Sequence, residues 1–123
     1  MKYLSNFKLF ESSSKETIIN SIIDDEINKS KGFGLEIEES DIQKEKKIFS
    51  EIFTKYWNSI KNSDNNSYNS LRREIASKIY DIFDDRLRYY FNKSNKGGVR
   101  NMYNCHIDNV ISMLFITISN DLR

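Results

Sequence analysis

The stretch DIQKEKKIFSEIFTKYWNSIKN, residues 41–62, decides the fold class. Its apolar residues are Ile42, Ile48, Phe49, Ile52, Phe53, Tyr56, Trp57 and Ile60, paired at intervals of three to four. On an α-helix that spacing gathers into one wide stripe, broad enough to pack against two neighbours. Trp57 sits mid-stripe with Phe53 and Ile60 one turn away on either side, and is expected at the centre of the core.

The same period continues outward in both directions. After a polar turn at 62–66, a helix is expected from about Ser67 to Asn92, with Leu71, Ile75, Ile79, Ile82, Phe83, Leu87, Tyr90 and Phe91 inward. Ser94 to Gly98 is the next turn. Val99 to Leu122 then carries Val99, Tyr103, Ile107, Val110, Ile111, Leu114, Ile118 and Leu122 at helical spacing. Met113, Phe115 and Ile116 fill its other faces, as on a helix placed centrally or packed on a second subunit. The β-branched run 110–118 also suits a buried strand, and periodicity does not arbitrate over so short a run.

On the N-terminal side, Ile18, Ile19, Ile22, Ile23 and Ile27 mark a helix from about Ser14 to Lys29. Ser13 or Ser14, followed by Glu16, is a fitting N-cap, and Gly32 and Gly34 close the helix. Phe33, Leu35 and Ile37 alternate with Gly34, Glu36 and Glu38, the pattern of one short strand near residues 33–37. The first twelve residues stand apart behind the Ser12–Ser14 run. The expected architecture is therefore all-α: a compact bundle of about four helices forming a single domain over 13–123, with 1–12 a tag or a short helix.

Composition narrows the class further. A chain of 123 residues suits one domain with one core. Aromatic residues at 13% and a formal net charge of +1 oppose disorder, which pairs few aromatics with strong charge. The same near-neutrality excludes a globally basic nucleic-acid binder, though a local basic patch remains open. A single cysteine, Cys105, allows no internal disulfide and fits a reducing compartment. The longest apolar run is far shorter than the roughly 20 residues a membrane-spanning helix needs, and no signal peptide is visible. A cytoplasmic protein is expected, either free in a host cell or within a particle assembled there. Proline is absent and Ile, Asn, Lys and Ser dominate, as an AT-rich genome would write them.

Three features invite a chemical reading. Cys105 and His106 are adjacent, but neighbours on a helix point about 100° apart, so they do not form a nucleophile–base pair. With one histidine and one cysteine, no metal centre or cofactor is expected, and the pair reads as a semi-buried cysteine beside a histidine on the polar face. Asp24, Asp25, Glu26, Glu36, Glu38, Glu39 and Asp41 cluster without the spacing of a calcium loop, with Lys29 and Lys31 among them, and read as a solvated face. The segment 86–107 is the most suggestive. Arg86, Arg88, Lys93, Lys96 and Arg100 are interleaved with aromatic residues including Tyr103, as suits nucleic acid: cations meet phosphates and rings stack on bases.

The opening Met1-Lys2-Tyr3-Leu4, with Phe7-Lys8-Leu9-Phe10-Glu11-Ser12, resembles short N-terminal segments on small proteins of tailed bacteriophages. In the large myovirus-type phages such segments look like tags for proteins packed into the prohead. The resemblance implies cleavage by a prohead protease after a Leu/Ile-x-Glu motif, here Leu9, Phe10 and Glu11, leaving Ser12 as the new N-terminus. It covers about a tenth of the chain; an ordinary first helix is the other reading of these residues. The function expected is thus a non-enzymatic structural or accessory protein of a phage particle, with protein partners or self-association. A nucleic-acid-binding module built on 86–107 is the alternative.

Overall fold

A computed structural model describes the backbone of residues 2–94 and 102–120 and the side chains of 14–93 and 102–119. Five helices follow one another: α1 (Lys2–Gly32), α2 (Glu39–Lys61), α3 (Asn65–Ile82), α4 (Asp84–Ser94) and α5 (Met102–Asn120). The protein is all-α, and the described residues contain no strand.

Three local expectations are corrected. The alternating segment 33–37 is not a strand but the end of α1. Gly34, at φ +104°, turns the chain, and the Gly34 and Leu35 N–H groups reach back to the Lys31 and Ser30 carbonyls at 3.0 and 2.9 Å. Those two bonds are the Schellman closure, which needs a left-handed residue and here finds a glycine. Leu35 alone of the three apolar residues is buried, while Phe33 is 79% exposed.

α1 also runs unbroken through Ser12–Ser14. Serine costs only about 0.5 kcal/mol per residue in a helix interior relative to alanine, too little to end one by itself. The long helix expected over 67–92 is instead two. Phe83 has left helical geometry, at φ −93° and ψ 7°, and the Asp84–Asp85 pair opens α4 as a helix N-terminus favours. The Phe83 ring is buried against Phe49 at 5.9 Å, so core packing holds the bend. The start of α3 is capped as its sequence allows: the Asp64 carboxylate accepts from the Ser67 N–H at 2.8 Å, and Ser67 returns a bond to the Asp64 N–H.

The 110–118 run is helical, and α5 occupies the middle of the bundle, in contact with each of the other four helices. Tyr103, Ile107, Val110, Ile111, Leu114, Phe115 and Ile118 are all buried there. Trp57 is 2% exposed, as its place in the stripe predicts. Rings from three helices interlock in the core: Phe53 meets Phe115 edge-on at 5.7 Å, and Tyr68 meets Phe115 at 5.3 Å.

Candidate functional site, a buried polar path between four helices

The bend at Phe83 carries α4 back over the start of α2. Glu38, the N-cap of α2, supplies no side-chain cap of its own. The Tyr90 hydroxyl from α4 does that work: it accepts from the Glu38 N–H at 2.9 Å and donates to Asp41 Oδ2 at 2.6 Å. Asp41 also receives Arg86 through Nε at 3.2 Å and Nη2 at 2.7 Å. The same Nη2 reaches Glu38 at 2.8 Å, and the Tyr89 hydroxyl donates to the other Glu38 oxygen at 3.0 Å. The Arg86 guanidinium lies 4.2 Å from the Tyr89 ring centre, combining ion pairing with cation–π contact.

From Tyr90 the path passes inward. Its ring centre is 4.3 Å from that of Tyr103 on α5, and Tyr103 in turn neighbours His106 at 6.0 Å. His106 Nε2 lies 2.9 and 3.0 Å from the two oxygens of Glu45 on α2, and both side chains are wholly buried. On its other side His106 Nδ1 meets the Ser30 hydroxyl of α1 at 3.4 Å. Four helices meet along this path: polar contacts gather Glu38, Asp41, Arg86 and Tyr90 at one end and Ser30, Glu45 and His106 at the other, and the Tyr103 ring packs between them.

Burial sets the electrostatics. The Tyr90 phenol is pushed up to about 12, first by burial and then by its bond to the Asp41 carboxylate. Burial pushes the Tyr103 phenol up further, and the Glu45 charge adds to it. The Tyr103 hydroxyl is buried with no hydrogen-bond partner among the described residues. Arg86 holds its proton more tightly than usual because Asp41 accepts from it. A second, outer cluster joins α3 to α5: Arg72 donates to Ser112 Oγ at 2.6 Å and Tyr80 to Asp108 at 3.3 Å. There the Tyr80 phenol is pushed up to about 12 by burial and by the Asp108 charge.

The described basic and aromatic residues of 86–107 are divided between the surface and the interior. Arg86 turns inward to Asp41 and Glu38. Arg88 is exposed and pairs with Asp84 at 2.8 Å along its own helix. Lys93 lies over the Tyr89 ring at 5.4 Å. Tyr103 is fully buried, so its ring cannot stack on a base in this conformation. Lys96 and Arg100 lie outside the described residues, as do the side chains of Leu9, Glu11 and Ser12 in the first half of α1. The acidic cluster divides too. Asp24 pairs with Lys46 at 2.8 Å, whereas Glu26 and Asp41 are buried rather than solvated. Among the described residues no three histidine, cysteine, aspartate or glutamate side chains converge as a metal site would need.

The Cys105–His106 pair is reversed from expectation: the cysteine is exposed and the histidine buried. The two buried carboxylates of α2, Asp41 beside Tyr90 and Glu45 beside His106, had a signal in the sequence. Asp41 and Glu45 continue, at intervals of four, the line of Phe49, Phe53 and Trp57 that faces the core. Chemically, a sealed acid–base pair with no exposed atom fixes helix positions; it offers no face to a substrate. No protein-family model, no curated protein and no solved structure matches the chain.

Proposed function

We propose that this chain is a non-enzymatic structural or accessory protein that acts through its outer surface on macromolecular partners, as a component of a phage particle. The observation that carries the first half is the closure of the Glu45–His106 pair, whose side chains are completely shielded from solvent. The acid–base groups best placed for chemistry are committed to holding α1, α2 and α5 in register. The second half rests on the opening sequence with Leu9, Glu11 and Ser12, and is the more exposed claim. Fusing residues 1–12 to a fluorescent reporter and purifying particles of the phage that encodes the chain tests it. Reporter inside the particles, beginning at Ser12, is the expected result; reporter confined to the host lysate overturns it.

A second reading keeps nucleic acid as the partner. Phe91 is 47% exposed on α4, two residues before Lys93, and the chain then leads to Lys96 and Arg100. An exposed ring among cations is the arrangement that single strands use. On this reading Arg88 and Lys93 contact phosphates, while Arg86 and Tyr103 position the helices. Salt-dependent retention of single-stranded DNA or RNA by the intact protein, lost with the Phe91→Ala, Lys93→Ala pair, would favour it.

A further inference from the structure

Two registers fix how much of α1 the bundle holds. The Asp24–Lys46 ion pair at 2.8 Å and Lys15 over the Trp57 ring align α1 with the antiparallel α2. Fifteen residues on from Lys46 is Lys61, the last of α2, and fifteen back from Asp24 is Leu9. The Ser30–His106 contact at 3.4 Å, with Gly34 beside Met102, aligns α1 with α5, also antiparallel. Fourteen residues on from His106 is Asn120, the end of α5, and fourteen back from Ser30 is Glu16. Both helices rise by roughly 1.5 Å per residue, so α2 stops level with Leu9 and α5 level with Glu16. Among the described residues α1 packs on no other helix. Residues 2–8 therefore extend past both neighbours, and 9–15 run beside α2 alone.

A second helix start is written where that support begins. Ser13-Ser14-Lys15-Glu16 is the Ser-x-x-Glu pattern of a capping box, in which the serine accepts from the backbone N–H three residues on and the glutamate bonds back to the serine N–H. The pattern is idle here, because α1 runs through it from Lys2. From Lys15 onward the bundle takes hold: its Nζ lies 5.7 Å from the Trp57 ring centre, Ile18 packs against the core, and Ile19 is fully buried. The segment ahead of it has little to keep it helical. A helix of fewer than about 12 residues is marginal on its own, and Tyr3, Ser5, Asn6, Phe7, Phe10 and Ser12 are middling helix formers.

We propose that α1 has two starts: the one at Lys2, and a concealed one capped by Ser13 and Glu16, to which the helix retreats when residues 2–12 unwind. The arm opens as a unit by local unfolding, while the bundle from Ser13 onward stays folded. In that state the peptide bond after Glu11 has left the helix, and its cleavage tracks the population of the open arm. This last consequence rests on the processing reading above. The two starts do not rest on it, and they are tested without a protease or a particle.

Ser14→Pro in the full chain is the deciding variant. Position 14 is the first helical residue of the Ser13-capped start, where proline is favoured, and proline there pushes Ser13 out of the helical region. If α1 must be continuous, the same proline removes the bond to the Phe10 carbonyl and clashes with it, lowering the ratio of folded to unfolded protein by roughly a hundredfold. The expected result, from urea unfolding, is a ratio within about threefold of wild type. Amide NMR shifts of residues 3–12 should move to coil values while those of α2 and α5 stay in place. Ser13→Ala then reports the cap itself. In the wild-type chain it should be neutral or slightly stabilising, since alanine is the better residue in a helix interior. In the Ser14→Pro chain it should lower the ratio about fivefold, the loss of an N-cap. A loss of about tenfold or more in Ser14→Pro would overturn the proposal, as would Ser13→Ala acting alike in the two chains.

Discussion

His106 on α5 and Glu45 on α2 meet at 2.9 Å with neither side chain exposed, at the point where α1 also touches them through Ser30. A buried pair of this kind is held by mutual satisfaction. Removing one partner strands the other in a medium that cannot solvate it. His106→Ala is therefore expected to cost about 3–5 kcal/mol, and Glu45→Ala a similar amount. Replacing both with leucine should restore most of that loss, because no polar group is then left unpaired. Urea unfolding of His106→Leu, Glu45→Leu and the double leucine variant measures the coupling. Additive losses would show that the two side chains act independently.

The Tyr90 hydroxyl does two jobs, capping α2 through the Glu38 N–H and donating to Asp41. Tyr90→Phe keeps the ring packing and removes both bonds. The expected cost is about 1–3 kcal/mol, since the carboxylate loses one of its partners in a site that is 5% exposed. Arg86→Lys should not be neutral either. A point charge cannot give Asp41 two N–H bonds while reaching Glu38, as Arg86 does. Thermal melts of the two variants check both expectations.

The helical class was legible because long apolar stripes were present, and what the sequence concealed were events of a single residue. Nothing in the 67–92 stripe marks Phe83 as a bend: both halves keep helical period, and the break comes from where the Phe49 ring lies. Gly34 was visible as a stop, yet the alternation around it looked like a strand because the closure of a helix also displays residues to opposite sides. The buried path was half legible. Asp41 and Glu45 share the inward line of α2, but a carboxylate on such a line has meaning only when its partner is known. His106 comes from sixty-one residues away. Sequence spacing groups Arg86 with the outward cations because it does not reveal that α4 folds back on Glu38.

Alkaline stability follows from the tyrosines. An unfolded phenol titrates near 10, whereas Tyr80 and Tyr90 are pushed up to about 12 and Tyr103 is raised as well. The folded state therefore keeps protons that the unfolded state releases. Stability is fully present below pH 10 and falls as pH rises from 10 toward 12. Unfolding monitored by circular dichroism should show the midpoint in urea dropping across that window, and Tyr90→Phe should make the drop shallower. A midpoint unchanged between pH 9 and 11.5 would contradict the assignment.

The first eleven residues give the sharpest contrast. The backbone of residues 2–11 is the first part of α1, whose described buried residues are Ile19, Ile23, Glu26 and Ile27. Those four lie at intervals of three to four and face α2 and α5, so a helix that starts at Ser12 still presents all of them. If residues 1–11 serve only as a removable tag, deleting Met1 to Glu11 should lower the melting temperature by no more than a few degrees, the response to a loss of about 1 kcal/mol in a domain of this size. If Tyr3, Phe7 and Phe10 instead cover the core, the loss is about 1.5–3 kcal/mol for each ring, and the truncated chain should unfold or aggregate. A melting curve of the truncated protein separates the two. Mass spectrometry of the mature protein then decides between processing at Glu11, which leaves Ser12 first, and an intact Met1, which would leave α1 an ordinary helix from its first turn.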